Sequence, residues 1–415
     1  MRSRVVCSHF RKVETDEKSP GEFRMESLDT SKGVKSVEFR CDSGADDTRQ
    51  WVLSLNTRIA LVSYLHELNN SHLRGCREIV DFIADTDLSL STLRIEDSGG
   101  SAVRTALTRL KDVLIARPSF HNFIVNCSEM GDEDVRLIAD IASRNPEVVS
   151  LELRDNHLGP KGAAHLAGVF MTDTHLRRLN LDGNHIGDEG AEQLARAVAR
   201  HPRLSVLSLA ENEISDAGVV ALVDALMHRT RQAAATAIPS ASGVAPAPSV
   251  AAVAVSAVVA SATDRRTAMG VQTQMHAPAV PPADSDAASS FPLLNLAGNR
   301  VGSRGASRLA DLCRVNKLVK EINLERNLVD DAGVIALAEA LMSGRSGLSC
   351  LNLSCNQLSS RAIVALSEAL KATNGAGRVE IDLCGNRMLG RSGLATILDA
   401  DFPLEFPLLK IVRPQ

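Results

Sequence analysis

The chain has 415 residues, 44% of them hydrophobic, 3% aromatic and 23% charged, with a formal net charge of −4. That balance gives no general reason to bind nucleic acid or an anionic membrane. The 8 cysteines are scattered with no C-x-x-C pair, which reads as free thiols in a reducing compartment, and the opening Met1-Arg-Ser-Arg-Val-Val-Cys-Ser-His lacks a secretory apolar segment. Both features set the expectation of a cytoplasmic protein.

In chain order, residues 1–85 read as an amino-terminal tail and helical cap. Met1–Lys32 is rich in charge without periodicity, as a mobile or loosely docked tail would be, whereas Thr57–Leu68 and Arg74–Ala84 have helical patterning and Trp51 is the sole tryptophan. Leucine-rich units then occupy residues 86–230. The first two are degenerate: Leu90, Leu93 and Ile95 with Ser98, then Phe120, Phe123 and Val125 with Ser128 and, in the helix slot, Ile138. Clear units start at Val148, Leu176, Leu204, Phe291, Val319, Leu348 and Arg378. Each leads to an asparagine, in order Asn156, Asn184, Asn212, Asn299, Asn327, Asn356 and Asn386, in the pattern L-x-x-L-x-L-x-x-N. The asparagines step by 28, 28, 87, 28, 29 and 30 residues.

The first half of a unit alternates, as Leu179 and Leu181 do with Asn180 and Asp182, and reads as a short strand. The second half carries Gly162, Gly190, Gly218, Gly305 or Gly333, then Leu166, Leu194, Leu222, Leu309, Leu337 or Leu366, with helical spacing such as Ile186, Ala191, Leu194, Ala195 and Val198. A strand-plus-helix unit buries both apolar faces only by stacking on its neighbours. The long step of 87 exceeds a 28-residue unit by 59 residues. Residues 231–290, rich in Ala, Ser and Pro and lacking leucine, therefore read as a disordered insertion. Its apolar run Ala251–Ala262 is shorter than the about 20 residues that a membrane span needs. Repeats resume over 291–400, the last with Arg378 in the first leucine slot and Gly393 one residue late. Residues 401–415 read as a carboxy-terminal cap, with Phe402, Leu404, Phe406 and Leu408 alternating in one closing strand.

A repeat of this length with the asparagine, the glycine before the helix and a full helix resembles the ribonuclease-inhibitor-like class of leucine-rich repeats. The resemblance implies an α/β solenoid, a horseshoe of about nine repeats, with a parallel sheet on the concave side and helices on the convex side. It also implies that the asparagine amides form a ladder satisfying backbone groups where each strand turns away.

Function in such a fold is read from the concave face, to which the third, fifth and seventh residues of each unit point. The first part of the arc carries Arg94, Glu96, Asn122, Asn126, Glu152, Arg154, Arg178, Asn180 and Asp182, which are mixed in charge. The middle carries Val206, Ser208, Ala210, Leu293, Asn295 and Ala297, and the last part Glu321, Asn323, Glu325, Asn352, Ser354, Glu380 and Asp382, which is acidic. The candidate partner-binding residues are Arg154, Arg178, Val206, Leu293, Glu321, Glu325, Glu380 and Asp382. The expected partner is a protein with a basic segment and an apolar contact. Two other readings stay open: ordinary solvated strand residues, and the insertion folding back over Leu293 and Ala297.

His157, His185 and Glu213 follow ladder asparagines and would stand about 5 Å apart in one row. Neither they nor Cys350, Cys355 and Cys384 make a closed set of four ligands, so no metal or cofactor is expected. Gly183 and Gly298, in D-G-N and A-G-N sequences, serve turn geometry. No nucleophile, base and orienting group can be assembled, so no enzyme is expected. The leading expectation is a non-enzymatic scaffold or adaptor. By the same resemblance, actin-capping proteins and a subunit of the axonemal dynein regulatory complex keep a cytoskeletal or axonemal assembly, and a cytoskeleton- or cilium-associated location, among the expectations. The GTPase-activating protein of the nuclear-transport GTPase is similar in repeat length and type and supplies the alternative function. That protein carries a long acidic carboxy-terminal run, whereas this chain ends Lys410-Ile-Val-Arg-Pro-Gln, and no individual residue here matches its role.

Overall fold

The structure, a computed structural model, describes residues 10–15, 22–27, 36–40, 45–71, 76–85, 90–96, 99–126, 129–171, 175–201, 203–236, 292–372, 379–386 and 409–410. The chain opens with an antiparallel meander of β1 (Phe10–Thr15), β2 (Glu22–Ser27) and β3 (Ser36–Arg40), followed by α1 (Ala45–Ser71) and α2 (Arg77–Ala84). This corrects the reading of Met1–Lys32 as a tail, because β1 and β2 lie within it. Phe23 pairs with Phe39 and Met25 with Val37 in register, and the alternation of these residues with Arg24, Glu26 and Glu38 is the period of two that a tail reading passes over. Helix α1 also starts at Ala45, well before Thr57.

Ten strands form the second sheet in the order β13 to β4, and the pairs between sequential strands are parallel. They are β4 (Thr92–Ile95), β5 (Asn122–Val125), β6 (Ser150–Glu152), β7 (Arg178–Asn180), β8 (Val206–Ser208), β9 (Leu293–Asn295), β10 (Glu321–Asn323), β11 (Cys350–Asn352), β12 (Glu380–Asp382) and β13 (Leu409–Lys410). Helices alternate with them: α3 (Gly100–Ala116), α4 (Asp132–Arg144), α5 (Pro160–Phe170), α6 (Gly187–Arg200), α7 (Asp216–Thr236), α8 (Ser303–Val315), α9 (Asp331–Met342) and α10 (Ser360–Ala372). The leucine slots and the apolar helix faces merge into one continuous core from Tyr64 to Leu383. Leu90 departs from this. It is 44% exposed, because the first unit has no preceding unit to cover its leading slot.

Strands β8 and β9 pair directly, Val206 with Leu293 and Ser208 with Asn295, so the solenoid passes across the long step without a break. The spacing ends the preceding helix near Met227, but α7 continues to Thr236 through Arg231-Gln-Ala-Ala-Ala, all good helix formers. The rest of the expected insertion, Ser98, Ser128, Gly393 and Phe402–Leu408 lie outside the described residues. Among the described residues no helix is long and apolar enough to cross a membrane.

The asparagines make the expected ladder. Asn184 donates through its Nδ2 to the carbonyls of Leu153 at 2.9 Å and Leu181 at 2.8 Å, while its Oδ1 accepts the Leu158 N–H at 3.1 Å. Asn299 does the same across the long step, accepting from Ile214 N at 2.9 Å and donating to Leu209 O at 2.8 Å. A second column runs along the helix starts. Asp132 caps α5 by accepting from Gly159 and Gly162 N at 2.7 and 2.8 Å, and Asp216 caps α8 by accepting from Gly302 and Gly305 N at 2.7 and 2.9 Å. Ser303 stands where the next cap would come from, and α9 instead uses its own Asp330, bonded to Ala332 N at 2.8 Å.

At the amino-terminal end Arg117, 6% exposed, holds α2 to the first units. Its guanidinium stacks 4.2 Å over Phe82 and donates to the Asp85 carboxylate at 3.2 Å.

Candidate binding face

The residues just before the ladder asparagines all adopt left-handed backbone. Gly183 and Gly298 sit there at φ 68 and 64, as the D-G-N and A-G-N turns require, but Asp155, Glu211, Arg326 and Cys355 occupy the same slot at φ 53 to 56. This turn ends each strand and starts the loop above the concave sheet.

On that sheet the third residues form one row, Arg178, Val206, Leu293, Glu321, Cys350 and Glu380, matched one to one by strand register. A depression of about 310 Å³ lies over β6 to β11 and brings together Arg154, Arg178, Val206, Leu293, Glu321 and Glu325. Glu380 and Asp382, on β12, lie outside its lining. Burial, and secondarily the charge of Glu380, pushes the Glu321 carboxyl above its usual range. Burial also pushes the Cys350 thiol up to about 11, with Glu321, Glu380 and Asp382 adding to the effect. Arg154 stands 4.0 Å from Asp182, and Arg326 3.7 Å from Glu325, so part of the charge is matched internally.

The fifth residues behave differently from the expectation that they face a partner. Asn180, Asn295, Asn323 and Asn352 accept the N–H two residues on, from Asp182, Ala297, Glu325 and Ser354 at 3.0 to 3.2 Å. Asp382 does likewise for Cys384 N at 2.9 Å. Asn323 and Ser208 are only 5% and 6% exposed. The column serves the strand ends, because a buried amide N–H needs an acceptor there. The signal was visible in the recurring Leu-Asn-Leu at 179–181, 294–296 and 351–353. Asp182 replaces a backbone acceptor in the same way, taking the Ser208 hydroxyl at 2.6 Å and Ala210 N at 2.7 Å. Burial raises its pKa against those bonds.

On the loop edge His157 and His185 stack with ring centroids 6.2 Å apart, and His185 Nδ1 lies 3.1 Å from Glu213. The row continues into a cation, Arg300, 2.9 Å from Glu213. Among the described residues no group of three or more His, Cys, Asp or Glu is placed to hold a metal. Cys350, Cys355 and Cys384 are free thiols.

The leucine-rich-repeat family model, described as "Leucine Rich repeat", matches residues 144–167, 172–195, 202–223 and 315–338. No curated protein matches the sequence. Among solved structures, the chain is similar to actin-binding site 2 of leiomodin-1 at 17% identity, over 39% of this chain and 93% of that one, with a TM-score of 0.32. It is similar to an internalin of Listeria monocytogenes at 12% identity, over 82% and 95% of the two chains, with a TM-score of 0.34. A third is the leucine-rich-repeat ectodomain of the Arabidopsis receptor kinase HAESA, solved with an N-terminally extended IDA peptide hormone ligand, at 14% identity over 60% and 36% of the two chains and a TM-score of 0.25. The chain carries leucine-rich repeats, and its parallel sheet and alternating helices form a leucine-rich-repeat solenoid.

Proposed function

We propose that this solenoid, of the ribonuclease-inhibitor-like class, is a non-enzymatic scaffold in the cytoplasm, with a cytoskeletal or ciliary assembly as its setting. It captures a partner protein through the concave face. The observation that carries the reading is the depression over β6 to β11, where apolar Val206 and Leu293 adjoin Glu321 and Glu325. A basic, partly apolar segment complements that surface, and the charges would set on-rate and partner choice more than affinity. The test is proximity labelling of the tagged protein in its own cells, comparing wild type with Glu321→Lys, Glu325→Lys and Glu380→Lys combined. A defined set of neighbours should vanish in the variant and persist in a convex-face control, Glu192→Lys with Glu339→Lys. An unchanged set would move binding to the helices or the ends of the stack.

A further inference from the structure

The third-position row has a spacing that selects its occupant. Register pairs Arg178 with Val206, Val206 with Leu293, Leu293 with Glu321, Glu321 with Cys350 and Cys350 with Glu380. None of the six is buried. Along the row the surface passes from a cation over two apolar side chains to a carboxylate, a thiol and a second carboxylate. Hydrogen-bonded strands stand about 4.8 Å apart, so the row offers one contact per about 4.8 Å. An α-helix advances about 5.4 Å per turn and returns residues i, i+3 or i+4, and i+7 to one face. An extended segment returns a side chain to one face only every about 6.6 Å. From Arg178 to Glu321 a helix would drift by about 2 Å, which long side chains absorb, whereas an extended segment would drift by about 5 Å.

We infer that the partner segment is an amphipathic α-helix lying across the strands, one turn per repeat. It presents an acidic residue to Arg178, apolar residues to Val206 and Leu293, and basic residues to Glu321 and Glu380. The inference rests on the concave-face reading and narrows it to one kind of partner. The Glu321 carboxyl, raised by burial and secondarily by the charge of Glu380 two strands away, is the group a basic side chain would relieve.

The test places the photo-crosslinker p-benzoylphenylalanine at Val206, Leu293 or Cys350, one site at a time, in the full chain in its own cells. Mass spectrometry then maps the partner residues captured. A helix gives contacts that advance three or four residues from the Val206 probe to the Leu293 probe, and about seven more to the Cys350 probe, within one segment. Advances of one or two residues per repeat, scattered segments or a second copy would overturn the helix while leaving a concave binding face, and capture of the chain's own residues would overturn both. Capture only from a control probe at exposed Val364 on α10, or no capture at all, would overturn both readings.

Discussion

Replacing Asn299 by alanine strikes the solenoid where it crosses the long step in the sequence. Asn299 is 5% exposed, its Oδ1 accepts from Asn212 N at 3.1 Å and Ile214 N at 2.9 Å, and its Nδ2 donates to Leu209 O at 2.8 Å and Leu296 O at 3.0 Å. Alanine strands two buried N–H groups and the Leu209 carbonyl. At about 1–3 kcal/mol for each of these three unsatisfied groups, the loss comes to about 3–9 kcal/mol. The neighbouring Arg300→Ala removes an exposed pair with Glu213 and should cost under about 1 kcal/mol. Urea denaturation followed by circular dichroism separates the two, since a slope near 3 kcal/mol/M turns the Asn299 loss into a midpoint shift of about 1–3 M. Because repeat arrays are coupled mainly to nearest neighbours, the variant should also melt in two steps, one on each side of the joint. A midpoint for Asn299→Ala as close to wild type as that of Arg300→Ala would refute the ladder as the joint's main polar support.

Further expectations concern the ends and the concave face. Arg117→Ala removes a buried cation that pairs with Asp85 and should cost about 3 kcal/mol, read as faster hydrogen exchange in α2, with Arg117→Lys recovering little because it loses the stacking on Phe82. Since the folded Glu321 value is raised, its contribution to stability is complete below the unfolded value of about 4.3 and is lost as pH rises through the folded value. Glu380→Gln should bring that titration down, as followed by NMR of the Glu321 carboxyl, and no movement would remove Glu380 as a cause. Cys350, at about 11, should alkylate about tenfold faster per pH unit between pH 8 and 10 without levelling off, and a plateau below pH 10 would contradict its placement among carboxylates.

The solenoid itself was legible because leucine and asparagine recur at a spacing that only stacked strand-plus-helix units satisfy, and Asn299 announces its place even 87 residues after Asn212. The meander β1–β3 was missed although Phe23 and Met25 alternate with Arg24 and Glu26, and Val37 and Phe39 with Glu38 and Arg40, because each stretch is only five or six residues long and pairing such as Phe23 with Phe39 joins segments distant in sequence. Strand register and the depression over β6 to β11 bring third, fifth and seventh residues of the units together, but sequence spacing does not say which of them the protein uses for itself. Asn323 and Asp382 face the same side as Glu321, yet both bond to the next strand-end amide. The caps from Asp132, Asp188 and Asp216 to the following unit were missed for a similar reason. An aspartate in the first turn reads as satisfying its own helix, whereas these reach the next one.

Excision of residues 232–290 tests most directly whether one uninterrupted solenoid presents one concave face. The cut removes the 59 residues by which the long step exceeds its neighbours and places Asn299 28 residues after Asn212. The account predicts a cooperative urea transition within about 1–2 kcal/mol of wild type, since loop closure depends only weakly on length, together with capture of the same partners. Loss of cooperative folding on excision would contradict it, because β8 and β9 would then need the intervening residues to meet.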